Sequence, residues 1–93
     1  MRITEHAKDR AWERIPETRD FSEVQLESYI DRLLRSSEIL NHSEMQARFP
    51  GFSVQGETTY FVLKSLVFVV RSGDLVTIIE LDRTPRRLMS YAN

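Results

Sequence analysis

Apolar residues recur at helical spacing through the first 40 positions and gather in short runs afterwards, which divides the chain into a helical half and a strand-rich half. The first stripe repeats every fourth residue and consists of Ile3, Ala7, Ala11 and Ile15. Thr4 suits the N-cap of a helix, and Pro16 ends it from behind. The pattern therefore predicts a first helix over residues 4–15.

A capping box marks the start of a second helix. Ser22 suits the N-cap and Gln25 the third helical position, while Phe21 and Leu26 are spaced to form a hydrophobic staple. The apolar face that follows consists of Leu26, Tyr29, Ile30, Leu33 and Leu34. We expect this helix to continue to about residue 35 to 37.

Short apolar runs separated by turn signals predict an antiparallel meander in the second half. The runs cover residues 58–63, 66–71 and 75–81, joined by Lys64-Ser65 and Ser72-Gly73-Asp74. Residues 44–55 are a candidate fourth strand. The expected fold is α+β, with two N-terminal helices packed on a three- to four-stranded antiparallel sheet, in one domain of residues 1–93.

The predicted strands are apolar on both faces. Residues 60–63 and 67–70 do not alternate with polar residues, as antiparallel strands with one solvated face do. Two helices cover one face. Either the helices wrap the sheet more fully, or the second face is a contact surface, for example of a homodimer.

Composition excludes several classes of protein. The chain has no cysteine, which excludes a disulfide framework, a cysteine zinc site and a thiol nucleophile. Two separated histidines and scattered carboxylates do not make a metal site. The sequence also lacks a phosphate-binding glycine loop, so we expect no cofactor. The net charge is −1. The first residues lack the apolar core of a signal peptide, and the longest wholly apolar run has five residues, so we expect a cytoplasmic protein without a membrane partner.

One polar stripe on the first helix carries candidate chemistry. His6, Arg10 and Arg14 are spaced four residues apart, beside the apolar stripe and at the expected rim of the helix–sheet contact. A histidine there can transfer a proton while the guanidinium groups hold a phosphate. The alternative, favoured by spacing alone, is a solvated flank in which neighbouring carboxylates pair with the arginines.

Further polar residues interrupt or follow the apolar strands. The candidates for phosphate or RNA contacts are Lys64, Arg71, Thr77, Arg83, Arg86 and Arg87. Arginines near an aromatic residue can follow a phosphate backbone. Exposed charges at strand ends, a threonine chosen for its β propensity and a solvated C-terminus are the structural alternatives.

The segment from Ile3 to Ile15, I-T-E-H-A-K-D-R-A-W-E-R-I, resembles the opening helix of small bacterial and phage domains of the barnase–EndoU–colicin–RelE (BECR) superfamily. Their last strand resembles the segment from Gly73 to Ile78. The resemblance implies two helices packed on a four-stranded antiparallel sheet and a metal-independent endoribonuclease, often a toxin. It implies proton transfer by His6, charge stabilisation by Arg10 or Arg14, and a phosphate contact from Thr77.

Two functions remain open at this point. We favour a small phage or mobile-element type of interaction protein that binds and modulates a host protein or RNA, because the near-neutral charge and doubly apolar strands suit it. The alternative is the endoribonuclease. That alternative requires His6 and Thr77 to reach one phosphate.

Two substitutions test this interpretation. Leu33→Ala is expected to lower the free energy of unfolding by about 2–5 kcal/mol if the apolar face of the second helix is buried. His6→Ala is expected to leave stability nearly unchanged. Urea unfolding of both variants checks this, and a large loss from His6→Ala would identify a structural histidine of the core.

Overall fold

The computed structural model describes residues 1–50 and 57–81, which form an α+β fold of three α-helices and one five-stranded mixed sheet. The helices are α1 (Glu5–Arg14), α2 (Glu23–Arg35) and α3 (His42–Arg48), with a 3₁₀ turn at Pro16–Thr18. The strands are β1 (Arg2–Ile3), β2 (Glu38–Leu40), β3 (Thr59–Leu63), β4 (Leu66–Arg71) and β5 (Asp74–Glu80).

The sheet order is β1-β5-β4-β3-β2, so the chain's first strand lies beside its last. β1 pairs with β5 in parallel, and every other pair is antiparallel. Lys64 begins the turn between β3 and β4, and Ser72 and Gly73 form the turn between β4 and β5; all three have positive φ angles of 54°, 51° and 81°. These are the left-handed conformations that tight hairpins require.

The predicted α1, α2 and three-stranded meander are confirmed, while the rest of the sheet differs from the prediction. The candidate fourth strand over residues 44–55 was wrong at its start, because His42–Arg48 form α3; residues 51–55 lie outside the described part. Asn41 caps α3 and exchanges hydrogen bonds with Glu44 in a second capping box. β1 and β2 were not expected, and with two and three residues they have no periodicity to read.

Helices pack on both faces of the sheet, with α1 and α2 on the first face and α3 against β2 and β3 on the second. On the first face, α1 and α2 enclose a buried cluster of Ala7, Ala11, Ile15, Leu26, Ile30, Phe68, Val70, Leu75 and Ile78. On the second face, α3 contributes to a cluster of Leu40, Met45, Tyr60, Val67 and Val69. The doubly apolar character of β4 is thereby explained, because both of its faces are buried inside the chain.

Polar groups of α1 and its N-cap cover the β5 edge. β1 pairs only with the first two residues of β5, so no strand of the described residues pairs with the later part of that edge. The Thr4 hydroxyl donates to the Val76 carbonyl at 3.3 Å, and Arg14 donates to the Ile78 carbonyl at 2.9 Å. These contacts satisfy acceptors that an open edge offers to other chains.

The burial of α2 sharpens the expected stability losses. Ile30 is fully buried, Leu33 is half-buried and Val24 is 75% exposed. Ile30→Ala is expected to cost about 2–5 kcal/mol, and Leu33→Ala only about 1 kcal/mol because less apolar area is lost. Val24→Ala is the matched control, expected within about 0.5 kcal/mol of the parent chain. Urea unfolding checks the order of these losses in stability. Equal losses at all three positions would contradict it.

Candidate functional site

The structure leaves His6 at the surface of α1, half-buries Arg10 and Arg14, and gives the two arginines partners within the chain. His6 is exposed. Arg10 forms an ion pair with Glu13, one of the carboxylates expected to pair with the arginines. Arg14 holds the edge of β5 through the Ile78 carbonyl. Two of the three side chains therefore have structural contacts.

Thr77 lies on the opposite side of the sheet from α1. It pairs with Val69, whose side chain belongs to the second-face cluster, and paired residues of neighbouring strands project to the same face. Val69 pairs in turn with Tyr60, so these three residues form a row across β5, β4 and β3. The structure does not bring His6 and Thr77 into one cleft.

The candidate phosphate contacts are also dispersed. Lys64 is exposed in the turn at one end of the β3–β4 hairpin, and Arg71 is exposed at the other end. Five residues of β3 separate these ends, which corresponds to about 17 Å. The remaining candidates, Arg83, Arg86 and Arg87, lie outside the described residues.

A polar cleft lies at the Arg71 end of the hairpin, where α3 begins. Its volume is about 460 Å³. The residues that line it are Asn41, His42, Ser43, Glu57, Thr58, Thr59, Val70, Ser72 and Gly73. Three chain segments meet there: the start of α3, the start of β3 and the turn after β4. We call this site the α3 cleft.

Hydrogen-bonding side chains connect the wall of the α3 cleft to His42, whose imidazole can donate or accept a hydrogen bond. Arg71 Nε donates to Thr58 Oγ1 at 3.2 Å. The Thr58 side chain hydrogen-bonds to the Tyr60 hydroxyl. That hydroxyl lies 3.5 Å from His42 Nδ1. Arg71 and His42 are thus linked through two hydroxyl groups.

Tyr60 is fully buried although it carries a polar hydroxyl. Burial raises the pKa of the Tyr60 phenol, while the hydrogen bond from Thr58 and the charge of Arg71 act in the opposite direction. The net increase keeps the phenol protonated at neutral pH. Tyr60 therefore serves as a neutral donor and acceptor behind the half-buried His42.

The sequence interpretation missed His42 as a site residue. His42 lies between the second predicted helix and the candidate fourth strand, with no motif around it that indicates binding. The capping box of Asn41 and Glu44 was the readable sign that His42 begins a helix. No local sign pairs His42 with Tyr60, because that contact depends on how α3 packs against β3.

A second polar cluster joins α1 to α2. Lys8 is only 8% exposed, and its Nζ lies 3.1 Å from Glu27, 3.7 Å from Glu23 and 4.0 Å from Glu5. The hydrogen bond with Glu27 raises the pKa of Lys8 above its ordinary value, outweighing the opposite effect of burial. A lysine held in its charged form by three carboxylates is a structural link between helices and is a poor nucleophile.

Among residues 1–50 and 57–81, no cluster of three or more His, Asp or Glu side chains is arranged to hold a metal ion. No helix within these residues is long and apolar enough to cross a membrane. Comparison with protein-family models, curated proteins and solved structures finds no match to this chain.

The Lys8 cluster generates a pH-dependent prediction. Because folding raises the pKa of Lys8, its contribution to stability is complete below the unfolded value of 10.5 and is lost as pH rises through the folded value. Lys8→Met is expected to lower the urea midpoint at pH 8 and to lose much of that difference at pH 11. Lys64→Met, in an exposed turn, is the control and is expected to change the midpoint little at either pH. A Lys8 difference that grows with pH would contradict this account.

Proposed function

We propose that this chain binds single-stranded RNA by seating a backbone phosphate in the α3 cleft. The observation that carries the proposal is the convergence of a histidine and several hydroxyl groups, drawn from three segments of the chain, on one concave site, with Arg71 hydrogen-bonded to Thr58 in its wall. This retains the interaction protein favoured above, with RNA as the host macromolecule.

The chemistry of the α3 cleft suits a phosphate diester. Arg71 is a permanent cation whose forked donors match phosphate oxygens. His42 adds an imidazole, and Ser43, Thr59 and Ser72 add hydroxyl groups that can contact phosphate or ribose. Neutral donors of this kind also contact the 2′-hydroxyl group, which distinguishes RNA from DNA.

The size and charge of the site favour a single strand over a duplex. Proteins that bind double-stranded RNA contact several phosphates over an extended surface. A chain with a net charge of −1 does not supply a long basic surface, whereas one cleft with a single arginine bonded to its wall suits a short segment. Thr77 lies on the same face of the sheet, two strands from Tyr60 and about 10 Å away, and stays a candidate contact for the next nucleotide.

A protein partner on the second sheet face has less support among the described residues. Their exposed large apolar side chains are Met1, Val24 and Ile39, which lie on the N-terminus, α2 and β2. These three do not form one patch. The apolar residues packed on the second face are buried or half-buried, so a homodimer through that face stays a prediction without a specific observation in its favour.

The second candidate function is metal-independent RNA cleavage in the same cleft. Glu57 is exposed and lines the same cleft as His42, so the cleft contains both a carboxylate base and a donor. In this reaction Glu57 takes the proton of a ribose 2′-hydroxyl, and the 2′-oxygen attacks the adjacent phosphorus. The 5′-oxygen leaves with its electron pair and takes a proton from water, and a 2′,3′-cyclic phosphate remains. Arg71 balances the charge of the pentacoordinate phosphate.

The BECR resemblance of residues 3–15 stays a prediction, and the α3 cleft does not depend on it. The two hypotheses place the working histidine in different positions. His6 is the residue that the resemblance implies, and His42 is the residue that the cleft implies. The chain has only these two histidines, which makes a direct comparison possible.

The decisive experiment measures binding of a 5′-labelled 12-nucleotide RNA of mixed sequence at low salt, by fluorescence anisotropy. Arg71→Gln is expected to raise the Kd about 10- to 100-fold, and His42→Gln about 2- to 10-fold, since a hydrogen bond to a charged group is worth more than a neutral one. Arg71→Lys keeps the charge and tests the forked geometry. His6→Gln is the matched control and is expected to bind like the parent chain.

The same samples separate binding from cleavage. Products that end in a 2′,3′-cyclic phosphate, and that disappear in Glu57→Gln, would establish the second function. Intact RNA with measurable affinity would leave binding alone. Absence of binding at low salt, or binding lost in His6→Gln and kept in both His42→Gln and Arg71→Gln, would overturn the proposal.

A further inference from the structure

The two edges of the sheet differ in how the chain covers them. At the β5 edge, β1 pairs with the first residues, and Thr4 and Arg14 donate hydrogen bonds to later carbonyl groups. At the β2 edge, no strand within residues 1–50 and 57–81 pairs with the outer side of Glu38–Leu40. A strand with one unpaired side offers N–H and C=O groups to another strand. The β2 edge is therefore where the sheet can accept a further strand.

The first-face side of the β2 edge is apolar. Ile39 pairs with Phe61, which packs against the first-face cluster. The helix on this side, α2, packs against β3, and Ile39 stays 61% exposed. Natural sheet edges commonly carry a charged residue or a proline that discourages pairing with another chain. An exposed isoleucine at the centre of β2 favours such pairing instead.

The second-face side of the β2 edge carries one balanced pair of charges. Leu40 is buried beneath α3, and Glu38 projects to the same face two residues earlier. The Glu38 carboxylate accepts hydrogen bonds from both terminal nitrogens of Arg48, at 2.6 and 3.1 Å. The two side chains are 55% and 46% exposed, so this ion pair lies at the surface beside the open edge.

We propose that this chain forms a two-fold dimer in which β2 pairs antiparallel with β2 of a second copy, with Ile39 of each copy opposite Ile39 of the other. The two sheets then join edge to edge, and both exposed isoleucines leave water. This interface is the edge of the sheet, in contrast to a dimer through its second face. A two-fold interface makes each contact twice, which favours a second copy over a foreign strand at an edge of only three residues.

The charges at the edge are complementary in this arrangement. The two Glu38 residues become diagonal neighbours on the second face, about 7–8 Å apart. Each brings its own Arg48, so two carboxylates lie beside two guanidinium groups with no net charge. The open edge therefore meets no uncompensated like charge in a second copy of itself.

The position of α3 leaves room for the second copy. This helix packs against both β2 and β3. When two β2 strands are neighbours, helices centred over the β2–β3 pairs lie two strand spacings apart, about 10 Å. Two α-helices pack at about this distance. The two α3 helices can therefore lie side by side without displacement from the sheet.

Sedimentation velocity between about 10 µM and 1 mM protein tests the dimer. A weak, concentration-dependent dimer is expected, because a pair of three-residue strands buries less area than a stable interface needs. Ile39→Lys places like charges opposite each other and is expected to raise the dimer Kd at least 10-fold. Val24→Lys changes an exposed apolar residue of α2 and is the matched control, expected to dimerise like the parent chain. Amide spectra check that both variants are folded.

A single cysteine tests the register of the two strands, because the chain has no cysteine of its own. Directly opposite residues of antiparallel strands have Cα atoms about 4.5–5.5 Å apart, which is within the range of a disulfide. Ile39→Cys is therefore expected to form a covalent dimer under mild oxidation. Val24→Cys, at a more exposed position, is expected to form one much more slowly at the same concentration.

Three outcomes would overturn the proposal: a parent chain that is monomeric at about 1 mM, a dimer that Ile39→Lys leaves unchanged, or cross-linking of Ile39→Cys that is no faster than that of Val24→Cys. Pairing of two copies is independent of RNA binding. These measurements contain no RNA, and every variant keeps the residues of the α3 cleft, so failure of either proposal leaves the other standing.

Discussion

The burial of β4 on both of its faces is the constraint on which the rest of the structure depends. Phe68 and Val70 enter the cluster beneath α1 and α2, while Val67 and Val69 enter the cluster beneath α3. A strand with two apolar faces must be covered on both, because exposing either returns its side chains to water. The need to cover the second face explains why a seven-residue α3 packs there. Its packing brings the start of α3 to the ends of β3 and β4, which creates the α3 cleft.

The polar residues of α1 illustrate how one residue type serves either structure or chemistry. In the sequence, a histidine and two arginines at four-residue spacing suit phosphate chemistry. In the fold, β1 is too short to cover all of β5, and Arg14 supplies a donor to the Ile78 carbonyl that the sheet leaves at its edge. Arg10 pairs with Glu13 on the helix surface. A buried backbone acceptor without a partner is costly. Arg14 therefore stabilises the edge of the sheet instead of joining His6 and Arg10 in one phosphate site.

The α3 cleft shows the converse relation, in which a structural requirement assembles a possible site. A fully buried Tyr60 hydroxyl needs hydrogen-bond partners. Thr58, just before β3, and His42, at the start of α3, are its partners. Arg71 extends the contacts to the surface through Thr58. The contact with the buried hydroxyl holds the His42 imidazole at the wall of the α3 cleft. Binding chemistry at this position therefore requires few additional residues beyond those that stabilise the second face.

The sequence by itself determined the elements whose signals are local. The capping box of Ser22 and Gln25 marked α2, and the turns at Lys64 and Gly73 marked the hairpins, because these rest on hydrogen bonds and backbone angles within a few residues. The box at Asn41 was equally local and was overlooked. Tertiary structure alone decided the short β1 and β2, the role of Arg14 and the His42–Tyr60 contact. Their partners lie 18 to 72 positions away, and only the packing of helices on both sheet faces brings such distant residues together.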